Sequence, residues 1–139
     1  MDYTTLPSTD IKVSKLCMGT MTFGNQNTEA EGHDQMDYAL ERGINFFDTA
    51  ELYPVPATPK TYADTERIMG NWFKKTGKRD QIVLASKIAG SGNYTAHIRD
   101  HEHFSPKHIR EAVEGSLQRL QTDYLDLYQL HWPERKTNF

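Results

Sequence analysis

Four side chains in this sequence have the types and spacing of a proton-transfer site. Asp48 and Tyr53 stand five positions apart in DTAELY, directly after the apolar run Ile44-Asn45-Phe46-Phe47. Lys87 closes IVLASK, which begins at Ile82, and His131 closes LDLYQLH, which begins at Leu125. Each run reads as a short buried strand, so Asp48, Lys87 and His131 stand at strand carboxyl ends and Tyr53 on the loop above the first. An acid, a phenol, a lysine and an imidazole around one cleft make a proton-transfer site. A free phenol has a pKa of about 10 and is a poor donor at neutral pH, but a neighbouring lysine cation favours the phenolate and lowers that value. Lys87 can do this only while charged, which burial opposes, and Asp48 is the counter-charge that would keep it so. Taken singly, each has a structural reading: Asp48 as a loop cap, Tyr53 as core, Lys87 as surface, His131 as a satisfied buried imidazole.

The elements that must position these groups follow from the same spacing. Asp48, Lys87 and His131 are 39 and 44 residues apart, room for a strand, a loop and a helix each time. Alternating βα units with right-handed crossovers make neighbouring parallel strands, about 4.8 Å apart. The three groups then line one rim, the place where parallel α/β sheets bind ligands. Thr28-Glu29-Ala30-Glu31 is a capping box that opens a helix over Glu29 to Arg42, stopped by Gly43. A second helix is predicted from Thr61 to Gly77, burying Ile68, Met69, Trp72 and Phe73, with Trp72 as core. A third starts at Ser105-Pro106 and carries the stripe Ile109, Ala112, Val113, Leu117 and Leu120. Ahead of these, Tyr3 to Leu6 and Ile11 to Ser14 flank the turn Pro7-Ser8-Thr9-Asp10 as a small hairpin, and Leu16 to Met18 is the first strand of the sheet. The segment Gly19 to Gly24 is neither a Walker loop nor a GxGxxG turn and, on its glycines alone, is an ordinary strand-to-helix loop. Pro54, Pro56 and Pro59 stiffen the loop that carries Tyr53.

Composition narrows the function. The 139 residues fit one domain at most, and a net charge of −3 gives no general attraction for nucleic acid. Cys17 is the single cysteine, the start MDYTTLPSTDIK lacks a signal-peptide profile, and no apolar run approaches a membrane span. A cytoplasmic protein without membrane or nucleic-acid partners is expected. The basic cluster Lys74, Lys75, Lys78 and Arg79 reads as a solvated helix end complementing the helix dipole. His97, His101 and His103 form HxxxHxH, which invites a zinc reading. Their loop has no helical or strand pattern to fix ligands, so no metal is expected and a polar loop over the site mouth is.

DTAELY, Ser86-Lys87 and SLQRLQTDYLDLYQLHWP (Ser116 to Pro133) resemble the motifs of the aldo-keto reductases. In order, Asp48, Tyr53, Lys87 and His131 match that family's catalytic tetrad. MGTMTFGNQNTEAE from Met18, YPVP from Tyr53 and GNWF from Gly70 are similar to the Tas-like branch of bacterial members. The resemblance covers essentially the whole chain. It implies an α/β fold that is the N-terminal half of a (β/α)₈ TIM barrel, because such a barrel needs about 250 residues: a β-hairpin over the barrel bottom, then strands 1 to 4 with helices 1 to 3. Residues 1–139 are then a single partial domain. It also implies NADP(H)-dependent reduction of an aldehyde or ketone by hydride transfer, with Tyr53 as general acid. Gly19, Thr20, Met21 and Asp48 would lie beside the nicotinamide, and Tyr53, His131 and Trp132 beside a small carbonyl substrate. The phosphate-binding loops of such barrels follow strands seven and eight, outside these residues. A rival reading is therefore a non-catalytic half barrel acting only through self-association or a partner chain. A metal-dependent hydrolase built on the His-rich loop is the weakest of the three.

Overall fold

A computed structural model describes residues 1–99 and 104–133. Strands β1 (Tyr3–Thr5) and β2 (Lys12–Ser14) pair antiparallel as the predicted hairpin. Next come β3 (Cys17–Gly19), helix α1 (Glu29–Glu41), β4 (Phe46–Asp48), α2 (Asp64–Thr76), β5 (Val83–Ile88), α3 (Pro106–Leu120) and β6 (Leu127–Leu130). The last four strands form a parallel sheet in the order β3-β4-β5-β6. This is the sequential βα winding expected from the spacing of the apolar runs.

The helix ends follow their local chemistry. Thr28 and Glu31 exchange hydrogen bonds as a capping box at the start of α1, and Ser105 accepts from the His108 amide ahead of Pro106 at the start of α3. α2 departs from expectation, since it opens at Asp64 instead of Thr61. The hydroxyls of Thr58 and Thr61 bond to each other at 2.8 Å and the Thr61 amide donates to the Thr58 carbonyl, which makes a turn there. Ala63 then enters α2 with φ +61° and no side-chain cap, so Thr61 is spent on the turn and not on the helix.

Among the described residues, α1, α2 and α3 lie on one face of the sheet only. Phe47 and Leu84 point to that face and join Met36, Met69, Trp72, Phe73 and Leu120 in the main core. Because strand side chains alternate, Phe46, Asp48, Val83 and Lys87 face the other way. The hairpin closes the amino-terminal end of the sheet: Tyr3 donates to the Gly43 carbonyl at 2.8 Å, and the Asn45 side chain accepts from Ser14 and donates to Lys12. No helix among the described residues is long and apolar enough to cross a membrane.

Arg79 corrects the reading of its cluster as a solvated helix end. Its guanidinium pairs with Asp126 at 2.8 Å and donates to the carbonyls of Ile82 and Tyr124, while Asp126 accepts from the Leu84 amide. One arginine thus stitches the start of β5 to the start of β6. Lys78 pairs with Asp37 of α1.

α2 and α3 cross at Gly70, where an added Cβ would lie 2.1 Å from the Arg119 carbonyl oxygen and 2.9 Å from the Leu120 carbonyl carbon. Backbone cannot yield there as a side chain can. Gly70→Ala should therefore cost about 1–3 kcal/mol of stability, as overpacking does, and denaturant unfolding of the two chains measures it.

Candidate active site

The four groups singled out in the sequence meet at the carboxyl end of the sheet. Asp48 ends β4 and Lys87 is the penultimate residue of β5, with strand pairing that sets Asp48 opposite Ala85 and Lys87 opposite Gln129. His131 follows β6, its amide donating to the Ile88 carbonyl at 3.2 Å. The Lys87 ammonium donates to Asp48 Oδ2 at 2.7 Å and to the Thr49 carbonyl at 2.8 Å, and reaches the Tyr53 hydroxyl at 3.5 Å. It also lies 4.9 Å from the centre of the Tyr53 ring. Tyr53 and His131 meet edge to face, with centroids 5.5 Å apart.

The loop that carries Tyr53 continues along β5. The Thr49 amide donates to the Ala85 carbonyl and the Glu51 amide to the Lys87 carbonyl, at 2.9 and 3.0 Å. Two residues further, Tyr53 is buried in a small apolar cluster with Ala50, Leu52 and Ala89. Its hydroxyl therefore reaches the lysine from a loop fixed by backbone hydrogen bonds.

Burial, helped by the Lys87 cation and opposed by Asp48, pushes the His131 pKa down to about 4. The imidazole is neutral at neutral pH and can act as donor or acceptor according to its tautomer. Its Nδ1 is buried without a hydrogen-bond partner among the described residues.

The remaining predicted contacts lie around this centre. Gly19 ends β3 opposite Asp48, is exposed, and has open space where a Cβ would stand. Thr20 is fully buried, and both its amide and its hydroxyl donate to the Asp48 carbonyl, at 3.1 and 2.9 Å. Met21 is 44% exposed beside them. Trp132 packs against His131 at a tilt, with ring centroids 5.1 Å apart, and its indole N–H donates to the Ser91 carbonyl. It also packs on Gly90, where an added Cβ would fall 2.1 Å from its ring. Trp132 is thus keyed into the loop after β5 as well as facing the site.

Sequence reasoning missed Glu51, although it lies inside the motif. Its carboxylate is buried, accepts from the Ala89 amide and from Tyr62, and pairs with Arg99. The one available signal was a carboxylate among buried small residues, which demands a partner. His97 packs edge to face on Tyr62, while His101 and His103 lie outside the described residues. Among the described residues no three His, Cys, Asp or Glu side chains come together as a metal site.

A parallel sheet helix-covered on one face, with this carboxylate, lysine, phenol and imidazole on its carboxyl rim, is the N-terminal half of a (β/α)₈ barrel. The chain belongs to the Aldo/keto reductase family, whose profile matches residues 15–139. It is 52% identical over 139 residues to the protein Tas of Escherichia coli (strain K12), a match covering 99% of this chain and 40% of that protein. It is 42% identical to the uncharacterized oxidoreductase YrpG of Bacillus subtilis (strain 168), covering 99% of this chain and 42% of the relative. Among solved structures, the holo form of aldo-keto reductase AKR11C1 from Bacillus halodurans superposes with a TM-score of 0.72 at 37% identity, over 94% of this chain and 40% of the other. The chain spans about two fifths of the length of these relatives.

The His131 shift sets a pH dependence. Its folded value lies below the unfolded one, so the unfolded chain takes up this proton first. The contribution to stability is fully present above about 6.5, the ordinary histidine value, and is lost as pH falls towards the folded value of about 4. His131→Gln should flatten that part of the curve. Urea midpoints measured across this pH range for both chains test it, and parallel losses would contradict it.

Proposed function

We propose that this chain is the catalytic half of an NADP(H)-dependent reductase of aldehydes or ketones. The observation that carries the reading is the Lys87 ammonium held between Asp48 at 2.7 Å and the Tyr53 hydroxyl at 3.5 Å. Tyr53 donates the proton to the carbonyl oxygen as hydride reaches the carbon. Lys87 stabilises the phenolate that results, Asp48 keeps Lys87 charged, and the neutral His131 holds the substrate oxygen in place. Trp132 forms an apolar wall beside the substrate.

A nicotinamide bound at this rim would supply the hydride. Gly19, Thr20, Met21 and Asp48 fit its neighbourhood, since Gly19 leaves open space on the rim and Thr20 fixes the Asp48 backbone beneath. These residues suit the nicotinamide end of a dinucleotide, and the phosphate loops of such barrels come from later strands. The lone Cys17 agrees with a reducing, cytoplasmic setting.

In a full-length barrel carrying this sequence, Tyr53→Phe should lower the reduction rate by about 10² to 10⁴, the range for a lost general acid, while cofactor affinity changes little. Lys87→Met should be comparably slow. A Tyr53→Phe enzyme that keeps more than about half its turnover when chemistry limits the rate removes the assignment.

A second reading concerns residues 1–139 by themselves, as a single partial domain that self-associates. Among the described residues β3 and β6 are edge strands, and the helix-free face carries the exposed Cys17 with Phe46, Val83 and Leu127 only half-buried. Open edges and an uncovered apolar face favour association. Sedimentation of the 139-residue chain, with NADPH titrated by fluorescence, should give a dimer or larger species with weak cofactor binding. A monomer binding NADPH at micromolar concentration or tighter would overturn it.

A further inference from the structure

Tyr53 reaches Lys87 from a loop, and a loop holds a hydroxyl to a fraction of an ångström only if something fixes it. Glu51, two residues before Tyr53, is 1% exposed. Its amide donates to the Lys87 carbonyl at 3.0 Å, and its Oε2 accepts from the Ala89 amide at 2.9 Å. A single residue therefore grips the carboxyl end of β5 at Lys87 itself and at Ala89, two residues further on. The Glu51 carboxylate is saturated from the other direction by the Arg99 guanidinium, which reaches both oxygens, and by the Tyr62 hydroxyl at 3.1 Å. Arg99 comes from the loop after β5, and its side chain is 13% exposed.

We infer that Glu51 and Arg99 form a positioning clamp that holds the Tyr53 loop against Lys87. A carboxylate this buried demands hydrogen-bonded, charged partners, and two of the partners it takes, Ala89 and Arg99, belong to the end of β5 and the loop after it, while Tyr62 belongs to the loop of Tyr53 itself. The strand under Lys87 is secured from its helix face in the same way: Ser86 donates to the buried Glu66 at 2.7 Å, and Glu66 pairs with Arg119 at 2.7 Å. The lysine thus stands on a stretch fixed below by Glu66 and above by Glu51. Glu51 alone of the two also controls the phenol. That this placement serves proton donation rests on the function proposed above, whereas the placement itself does not.

The test reads geometry, not turnover, so its failure is distinct from failure of the reductase reading. 3-Fluorotyrosine is placed at position 53 of the 139-residue chain, and the fluorine resonance is recorded with and without Lys87→Met. With the clamp intact, loss of Lys87 should displace the resonance. In Glu51→Gln, and separately in Arg99→Gln, the same loss should displace it by less than about half as much, the coupling that a double-mutant cycle isolates. Arg99→Gln leaves Glu51 its bonds to Ala89 and Tyr62, so it keeps the test alive if Glu51→Gln does not fold. Arg99→Lys, which keeps the charge and gives up the two-pronged contact, should fall between. A role confined to stability would lower the melting temperature yet leave the Lys87-dependent displacement unchanged in every folded variant, and that result overturns the clamp.

Discussion

A lysine side chain taken into a cleft needs a carboxylate and hydrogen-bond acceptors to replace the water it gives up. Here Asp48 and the Thr49 carbonyl do so at 2.7 and 2.8 Å, with the lysine side chain 12% exposed. The rest of the architecture follows from keeping that contact. Asp48 and Lys87 come from adjacent parallel strands, β4 and β5, whose register puts Asp48 beside Ala85. A shift by one residue would send either side chain to the helix-covered face. The main core, centred on Phe47, Leu84 and the fully buried Trp72, prevents that shift by filling the opposite face. Packing on one side of the sheet thus sets electrostatics on the other.

Among the described residues two carboxylates are buried and each is paired with an arginine, Glu51 with Arg99 and Glu66 with Arg119, and the half-buried Asp126 is paired in the same way with Arg79. Glu51 with Arg99 joins two loops on the carboxyl rim, Glu66 with Arg119 joins α2 to α3, and Asp126 with Arg79 joins the start of β6 to the start of β5. Such pairs add little net stability compared with apolar packing, because desolvation offsets most of their attraction. Their directionality is what distinguishes them, since a carboxylate with fixed donors tolerates one arrangement where a methyl cluster tolerates several. Two of the pairs sit at the rims of the sheet, where hydrophobic packing thins out and geometry needs another determinant, and the third fixes two helices over β5.

The strand ends and caps were legible in the sequence because they are local. Asp48, Lys87 and His131 each terminate an apolar run, so their placement on one rim needed only the period of the βα unit. Thr28 with Glu31 and Ser105 with Pro106 opened their helices as read, because capping involves residues three apart. The buried pairs were illegible for the opposite reason. Glu51 and Arg99 lie 48 positions apart, Glu66 and Arg119 lie 53 apart, and neither residue of a pair carries a local mark of its partner. Arg79 misled in the same way, since a basic residue after a helix looks solvated until Asp126 is folded against it. The start of α2 failed at short range, where two threonine hydroxyls prefer each other to a helix cap.

Gly90 has a consequence for how this cleft can be altered. The Trp132 indole lies where any side chain at position 90 would have to go, 2.1 Å from an added Cβ, and its N–H is held by the Ser91 carbonyl. The ring and the glycine form a lock and its keyway, so neither can drift alone. A larger residue at position 90 would lever the indole away from the loop and onto His131, 5.1 Å from it. The open space beside His131 would then shrink through a residue that does not line it. Any widening of this cleft is therefore constrained to begin by trimming Trp132, with Gly90 left free to follow.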